Sequence, residues 1–281
     1  MKAHYKISDI QLALNRLPIE KGDILFIHSN IGFFGNLYGV KDSHSLCQIF
    51  FDALIDHLGG NGTIVVPTFT YSFPRKEIFY PNSPVYDMGI FSEWIRKQPD
   101  SNRSIDPSYS VAAIGNRSKE MTINSPLNSF DDESFFGRFL NVDGLVLNFN
   151  LDAGSTLIHY IERQLKVPYR FDKTFKGYIE DNKKRKLTKN TIYVRYLNSD
   201  ATSPVFEPFT DLAREKGVFV TQGLGRGEMG CIRSSECKKL IERHLPGRPW
   251  MLTKAEKLGI IPELIPESIN HELYTSDKIE E

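Results

Sequence analysis

Gly144-Leu145-Val146-Leu147-Asn148-Phe149 is followed a few residues later by Ser155-Thr156-Leu157-Ile158-His159-Tyr160-Ile161-Glu162. The first run is apolar except at Asn148, the pattern of a short strand covered on both faces. The second repeats apolar side chains at Leu157, Ile158, Ile161 and Leu165, the pattern of a helix packed along one side. A buried strand feeding a helix is half of a βαβ unit, and such sheets bind ligands where strands end. Helical spacing puts Thr156, His159 and Glu162 on neighbouring turns. A histidine there can take a proton near neutral pH, and a carboxylate can orient it or hold a cationic substrate group. The same residues also describe a flank histidine beside a Glu162–Lys166 pair.

Outward from this segment the alternation repeats. Gly22-Asp23 turns into Ile24-Leu25-Phe26-Ile27-His28-Ser29, a second continuous apolar run, and a helix is predicted over 45–58, stopped by Gly59-Gly60. A strand at 63–66 ends at Pro67. Further helices are predicted at 88–98, 134–140, 206–216 and 235–244, and a strand at 110–114. This order predicts an α/β three-layer sandwich with a largely parallel central sheet. Over 170–198 the pattern changes to two strands, at 175–180 and 191–197, around a basic turn at 182–186, a small antiparallel β insertion. No linker or repeat interrupts the chain, so one domain over 1–281 is expected.

The 281 residues carry 35 Lys plus Arg against 35 Asp plus Glu, giving a formal net charge of zero. That charge gives no footprint for nucleic acid or an anionic membrane. Cys47, Cys231 and Cys237 are widely spaced and show no metal-ligand pattern, so reduced thiols and no bound metal are expected. The N-terminus lacks a signal-peptide pattern and no run is long enough to span a bilayer, so a cytoplasmic location is expected. Oligomeric state is not encoded in any motif, and a homodimer is compatible with the sequence.

Three more segments fall at predicted strand ends. His28-Ser29-Asn30-Ile31-Gly32-Phe33-Phe34-Gly35 has glycines that let backbone amides approach a phosphate or thioester, or simply close a turn under aromatic packing. Val65-Val66-Pro67-Thr68-Phe69-Thr70-Tyr71-Ser72 ends a strand in hydroxyl residues, which either line a ligand cleft or satisfy their own backbone. Arg103-Ser104-Ile105-Asp106-Pro107-Ser108-Tyr109-Ser110 offers a guanidinium suited to a phosphate and a normal turn dipeptide.

Taken in order, these segments resemble the antibiotic N-acetyltransferase family, whose best-known members are aminoglycoside 3-N-acetyltransferases. The resemblance rests on Gly22-Asp23-Ile24-Leu25 through His28-Ser29 and Gly35, Gly62-Thr63 to Pro67-Thr68-Phe69-Thr70, and Arg103-Ser104-Ile105-Asp106-Pro107 through Ser110-Val111 to Gly115. Thr156-Leu157-Ile158-His159, Glu162 and Pro168-Tyr169-Arg170 complete it. It implies acyl transfer from coenzyme A to a sugar amine, with no metal. His159 would be the catalytic base, supported by Glu162 and Thr156. Coenzyme A would be held by His28, Ser29, Asn30, Ile31, Gly32, Phe33, Pro67, Thr68, Phe69, Thr70, Arg103, Ser104, Ser110 and Val111. Tyr71, Asp106, Tyr169 and Arg170 would meet the acceptor. The family commonly has His-Pro where this chain has Asp106-Pro107, so a contact near acceptor or pantetheine differs.

The neutral net charge argues against a polycationic acceptor, which calls for a carboxylate-rich site. Some relatives resemble acyltransferases for nucleotide-linked amino sugars of surface polysaccharides. A diphosphate acceptor, probed with a thymidine-diphosphate amino sugar, suits local cations at Arg170 and 183–186. This is the leading expectation. An aminoglycoside 3-N-acetyltransferase is the alternative, and a non-catalytic coenzyme A or sugar-binding protein is an alternative of another class. A nucleotide-cofactor methyltransferase is disfavoured, because no glycine-rich fingerprint with a downstream acidic partner occurs.

Overall fold

A computed structural model describes residues 2–123 and 125–265. The domain expected over 1–281 therefore reaches past the described residues at both ends and at Asn124. In chain order the first half runs α1 (Ile7–Asn15), β1 (Ile24–Ser29), α2 (Ser43–Leu58), β2 (Thr63–Pro67), α3 (Gly89–Arg96), β3 (Asn102–Arg103), β4 (Val111–Gly115), α4 (Ser118–Thr122) and α5 (Phe135–Asn141). The second half runs β5 (Leu145–Phe149), α6 (Leu157–Gln164), β6 (Arg170–Asp181), β7 (Lys184–Arg195), α7 (Glu207–Glu215), β8 (Val220–Leu224), β9 (Gly227–Arg233), α8 (Ser234–His244) and α9 (Lys254–Leu258).

Among the described residues, one sheet has seven strands in the order β3-β4-β2-β1-β5-β9-β8, and β6 and β7 form a separate pair. Strand β1 pairs in parallel with β2 and β5, while β4 and β9 run antiparallel to their neighbours. Since β3 and β8 reverse again, the sheet is mostly one-directional although its flanks pair antiparallel. The expected α/β layers with a largely parallel centre and a small antiparallel insertion are therefore present. The antiparallel neighbours arise because the 104–110 turn and the Gly225-Arg226 turn bring the chain straight back.

Side chains alternate across the sheet. Phe26, Val65 and Val146 face one core with α5, α6 and α8, where Phe26 packs edge-on against Phe135, Phe136 and Phe139. Leu25, Ile27, Ile64, Val66, Leu145 and Leu147 face the other core with α1, α2 and α3. Burial of these side chains on both faces explains the continuous apolar runs and supplies about 1.5–3 kcal/mol for each large one.

The insertion is longer and tighter than its sequence pattern. Strands β6 and β7 pair from Arg170↔Arg195 to Asp181↔Lys184. Asn182 and Lys183 close them, both in the left-handed region (φ 48° and 62°) that a two-residue hairpin turn requires. The basic turn expected at 182–186 is corrected accordingly: Lys184, Arg185 and Lys186 belong to β7 and stand exposed. The hairpin is tied down by Phe79 and Thr191, which exchange backbone hydrogen bonds with Tyr178 and Glu180 and with Leu127 and Ser129 respectively.

Candidate active site

Strands β1, β2 and β5 end on one edge of the sheet. Because β4 enters antiparallel, with Val111 opposite Pro67, the 104–110 turn reaches that same edge. Four expected segments, 28–35, 67–72, 103–111 and 156–162, thus converge through topology alone.

Helix α6 starts beyond β5, and Thr156 occupies its N-cap position without a side-chain capping bond. One turn on, His159 Nδ1 lies 2.7 Å from Glu162 Oε2. Glu162 is fully buried, and its other oxygen, Oε1, accepts from the Tyr169 hydroxyl at 2.8 Å. Arg170 completes the cluster. Its Nε lies 2.9 Å from Glu162 Oε2 without hydrogen-bond alignment, so this contact is an ion pair. Its Nη2 lies 3.4 Å from His159 Nε2, and Nη1 donates to the Tyr193 carbonyl oxygen at 3.3 Å. The flank pairing of Glu162 with Lys166 does not occur. Lys166 takes a left-handed conformation after the helix ends, while Glu162 turns inward.

Burial acts to raise the Glu162 pKa, but Arg170, His159 and the hydrogen bonds from His159 and Tyr169 outweigh it and hold the group low. His159 is lowered, first by burial and then by the Arg170 charge, while Glu162 opposes both. An anionic Glu162 therefore fixes a proton on Nδ1 of a neutral imidazole and leaves Nε2 as the acceptor.

With 15% of its side chain exposed, His159 opens onto a cavity of about 410 Å³. Tyr71, Tyr109, Phe175 and Tyr193 form much of the wall, with Arg170, Lys173 and Arg195 as its cations; among the described residues none of those lining it is a carboxylate. Tyr109, Tyr193, Phe175 and Arg195 were not singled out by sequence reasoning. Tyr109 lay inside the quoted 103–110 segment. The others became visible only when the hairpin base folded over the edge.

Several expected contacts are placed elsewhere. Tyr169 is buried against Glu162 and Trp250 and does not reach the cavity. Asp106 is buried too, accepting from the Ser108 and Tyr109 backbone amides and bonded to the Ser129 and Asn190 side chains, so it holds its own turn and ties it to β7. Burial raises its pKa against those bonds. Arg103 donates to the carbonyls of Pro81, Ser83 and Thr68, so its guanidinium ties loops together. Thr68, Ser104 and Ser110 form internal hydrogen bonds with each other or with Val111, Thr70 bonds the Pro107 carbonyl, and Val111 and Phe69 are core. These residues shape the edge from behind. Asn30, Gly32 and Phe33 are exposed, whereas Ile31 is buried. The joint cation site expected from Arg170 and 183–186 is also corrected. Those groups sit at opposite ends of the hairpin, roughly 35 Å apart along an extended strand.

Around the ends of β1 and β5, Ser29 Oγ and Ser155 Oγ are buried without a hydrogen-bond partner, and the His28 ring and Asn148 Oδ1 are buried with no well-aligned bond other than a contact between those two side chains. His28 and Asn148 are opposite one another on β1 and β5. Asn148 Nδ2 donates to the Asp152 and Gly154 carbonyls, which fixes its orientation. Burial lowers the His28 pKa to about 4, so this ring is neutral. Orphaned buried groups of this kind call for a ligand or water.

A second hollow, about 760 Å³, lies on the other side of the 204–207 segment and is lined by Asp152, Glu207, Asp211 and Glu228 with Arg214 and Arg226. Phe206 in that segment stands 6.1 Å from the His159 ring and packs so closely on Gly154 that a Cβ there would lie 2.1 Å from its ring. Among the described residues, no group of three or more His, Cys, Asp or Glu is placed to hold a metal, and no helix is long and apolar enough to cross a membrane.

The profile of the aminoglycoside 3-N-acetyltransferase family matches residues 26–246, and the chain belongs to that family. It is 24% identical over 178 residues to aminoglycoside N(3)-acetyltransferase III of Pseudomonas aeruginosa, covering 56% of this chain and 64% of the relative. It is 31% identical over 174 residues to aminoglycoside N(3)-acetyltransferase IV of Salmonella sp, covering 60% and 63%. The chain thus spans under two thirds of the length of each of these two relatives. The crystal structure of aminoglycoside acetyltransferase AAC(3)-Xa superposes with a TM-score of 0.72 at 21% identity, covering 85% of this chain and 93% of that one. AAC-IIIb, solved as a binary complex with CoASH, gives 0.72 at 18% identity, covering 86% and 97%. Both share the fold.

Proposed function

We propose that this chain is an acyl-coenzyme A-dependent N-acyltransferase acting on the amine of an amino sugar, with His159 as general base. The observation that carries the reading is an imidazole whose Nδ1 is held by buried Glu162 while the ring meets a cavity at the edge where β1, β2 and β5 end. Coenzyme A would lie along that edge, where the 28–33 loop and the buried hydroxyls of Ser29 and Ser155, which lack partners, are the polar groups nearest the strand ends. When bound it supplies the acyl thioester. His159 Nε2 takes the amine proton, directly or through water, and Glu162 stabilises the resulting imidazolium. Thr156 at the start of α6, together with that helix N-terminus, supports negative charge developing on the acyl oxygen.

For the acceptor, membership of a family known by its aminoglycoside enzymes, and the named relatives, favour N-acetylation of an aminoglycoside over the expected nucleotide-linked sugar. One observation favours the second reading: the cavity beside His159 is aromatic and cationic, with no carboxylate among the described residues that line it. Thiol release from acetyl-coenzyme A, measured with an aminoglycoside and with a thymidine-diphosphate amino sugar, tests both. Turnover with one class assigns the acceptor. No thiol release with any amine removes the enzymatic reading in favour of a binding protein. An acetyl or a short hydroxyacyl donor is compatible with the site.

A further inference from the structure

Arg170 stands in an unusual place for a residue beside a general base. Its guanidinium touches both ends of the His159–Glu162 pair, with Nε against the carboxylate and Nη2 against the imidazole nitrogen that faces away from that carboxylate. A carboxylate alone behind a histidine raises the imidazole's affinity for a proton. Here the same carboxylate is partly neutralised, and a cation sits 3.4 Å from the accepting nitrogen. The side chain is almost wholly buried and is pinned by the Tyr193 carbonyl at the base of the hairpin, so it does not swing clear into solvent.

We propose that Arg170 is a positioning residue that keeps His159 in its neutral, proton-accepting form and hastens departure of the proton once His159 has taken it. The proposal deepens the acyl-transfer reading and rests on His159 being its base. As the amine lone pair forms a bond to the acyl carbon, the C–S bond breaks and sulfur leaves with its electron pair. The amine proton passes to Nε2 and then to the departing thiolate or to solvent. An imidazolium facing Arg170 is repelled by a like charge in a poorly hydrated site, which favours that second transfer. The 3.4 Å contact to Nε2 is long enough for a substrate group or water to displace.

Other groups facing the ring make the same balance. Glu162 on its own helix opposes Arg170. Tyr109 from the turn before β4 and Tyr193 from β7 have phenols raised by burial, Tyr109 to about 12, and stay neutral. Lys173 and Arg195 line the same cavity and add charge of the Arg170 sign. Burial and then the Arg170 charge lower the His159 pKa, in keeping with that geometry.

The test is an NMR titration of the His159 ring in the full chain without substrates, in wild type, Arg170→Gln and Arg170→Lys, with folding checked by circular dichroism. Losing the cation is expected to raise the His159 midpoint by about one pH unit or more, while lysine keeps it within about half a unit. The acid limb of kcat/KM should move with the midpoint. Coincident midpoints in Arg170→Gln and wild type overturn the proposal, as does an equal rise in both variants. If the glutamine variant does not fold, a one-unit rise in the lysine variant overturns it and an unmoved midpoint supports it. Because the titration needs no acceptor, it stands apart from the acyl-transfer reading, which fails separately if His159→Ala turns over like wild type.

Discussion

The two hollows on either side of the 204–207 segment differ in nearly every respect. Pro204 lines the one beside His159, which is smaller, aromatic and carries only cationic charges among the described residues that line it. Glu207 lines the other, which is larger and carries four carboxylates with two arginines; Glu228 is paired with Arg214 and Glu207 with Lys257, which leaves Asp152 and Asp211 as its acidic excess. Their difference teaches that the candidate base and the acidic surface are separate features of this fold. A polycation would be drawn to the second hollow and an anion to the first. The zero net charge conceals this division, because charges of opposite sign cancel in the sum while remaining apart in space.

The strongest way to break the comparison is to remove the imidazole. His159→Ala is expected to lower kcat by about 10²–10⁴-fold while binding of coenzyme A, followed by calorimetry, persists. Turnover near wild type would show that the aromatic hollow is not where the chemistry occurs.

Next in size is Glu162→Gln, which leaves Arg170 as a buried cation without its carboxylate. A loss of about 3–5 kcal/mol in urea unfolding is expected near pH 7. Because the folded carboxylate titrates below its ordinary 4.5, its stabilising contribution is full above that value and lost as pH falls through the lowered folded pKa. The gap between wild type and variant should therefore close only in acid, and a constant gap down to low pH would contradict the ionised pairing.

The two walls can then be compared directly. With a cationic acceptor, Asp211→Asn is expected to raise KM about tenfold, or about 1.4 kcal/mol, and Arg195→Gln to leave it within about twofold. An anionic acceptor should reverse the two effects. Equal effects of both variants would dissolve the charge division.

The smallest expected change is Tyr169→Phe. It removes one hydrogen bond to Glu162 and should cost about 1 kcal/mol of stability with turnover lowered only severalfold. A loss as large as that of His159→Ala would mean that Tyr169 acts at the cavity after all.

Much of this was legible before any coordinates. The apolar runs at 24–29, 63–67 and 145–149 specify buried strands because both faces of each are covered. The 3.6-residue period at 157–165 specifies a helix carrying His159 and Glu162 on adjacent turns, and i,i+3 spacing alone brings the two side chains within reach. Segment order carried the family resemblance. Local spacing did not reveal which way a polar side chain turns. Arg103, Asp106, Thr68 and Ser110 have the chemistry of ligand contacts, yet their bonds go inward, because buried loops must satisfy their own backbone first.

By itself the chain determined the buried strands β1, β2 and β5, most of the longer helices and the placing of His159 and Glu162 on adjacent turns, since each depends on neighbours a few residues apart; the return strands β8 and β9, the bounds of the hairpin and the choice of Glu162 partner did not follow from local pattern. Only the tertiary structure decided that Tyr109, Phe175, Tyr193 and Arg195 surround that pair, that Arg170 faces both of its ends, and that 183–186 stand far from it. The reason is that those placements depend on where one antiparallel hairpin crosses the sheet edge, a long-range packing outcome that residue period and local spacing do not encode.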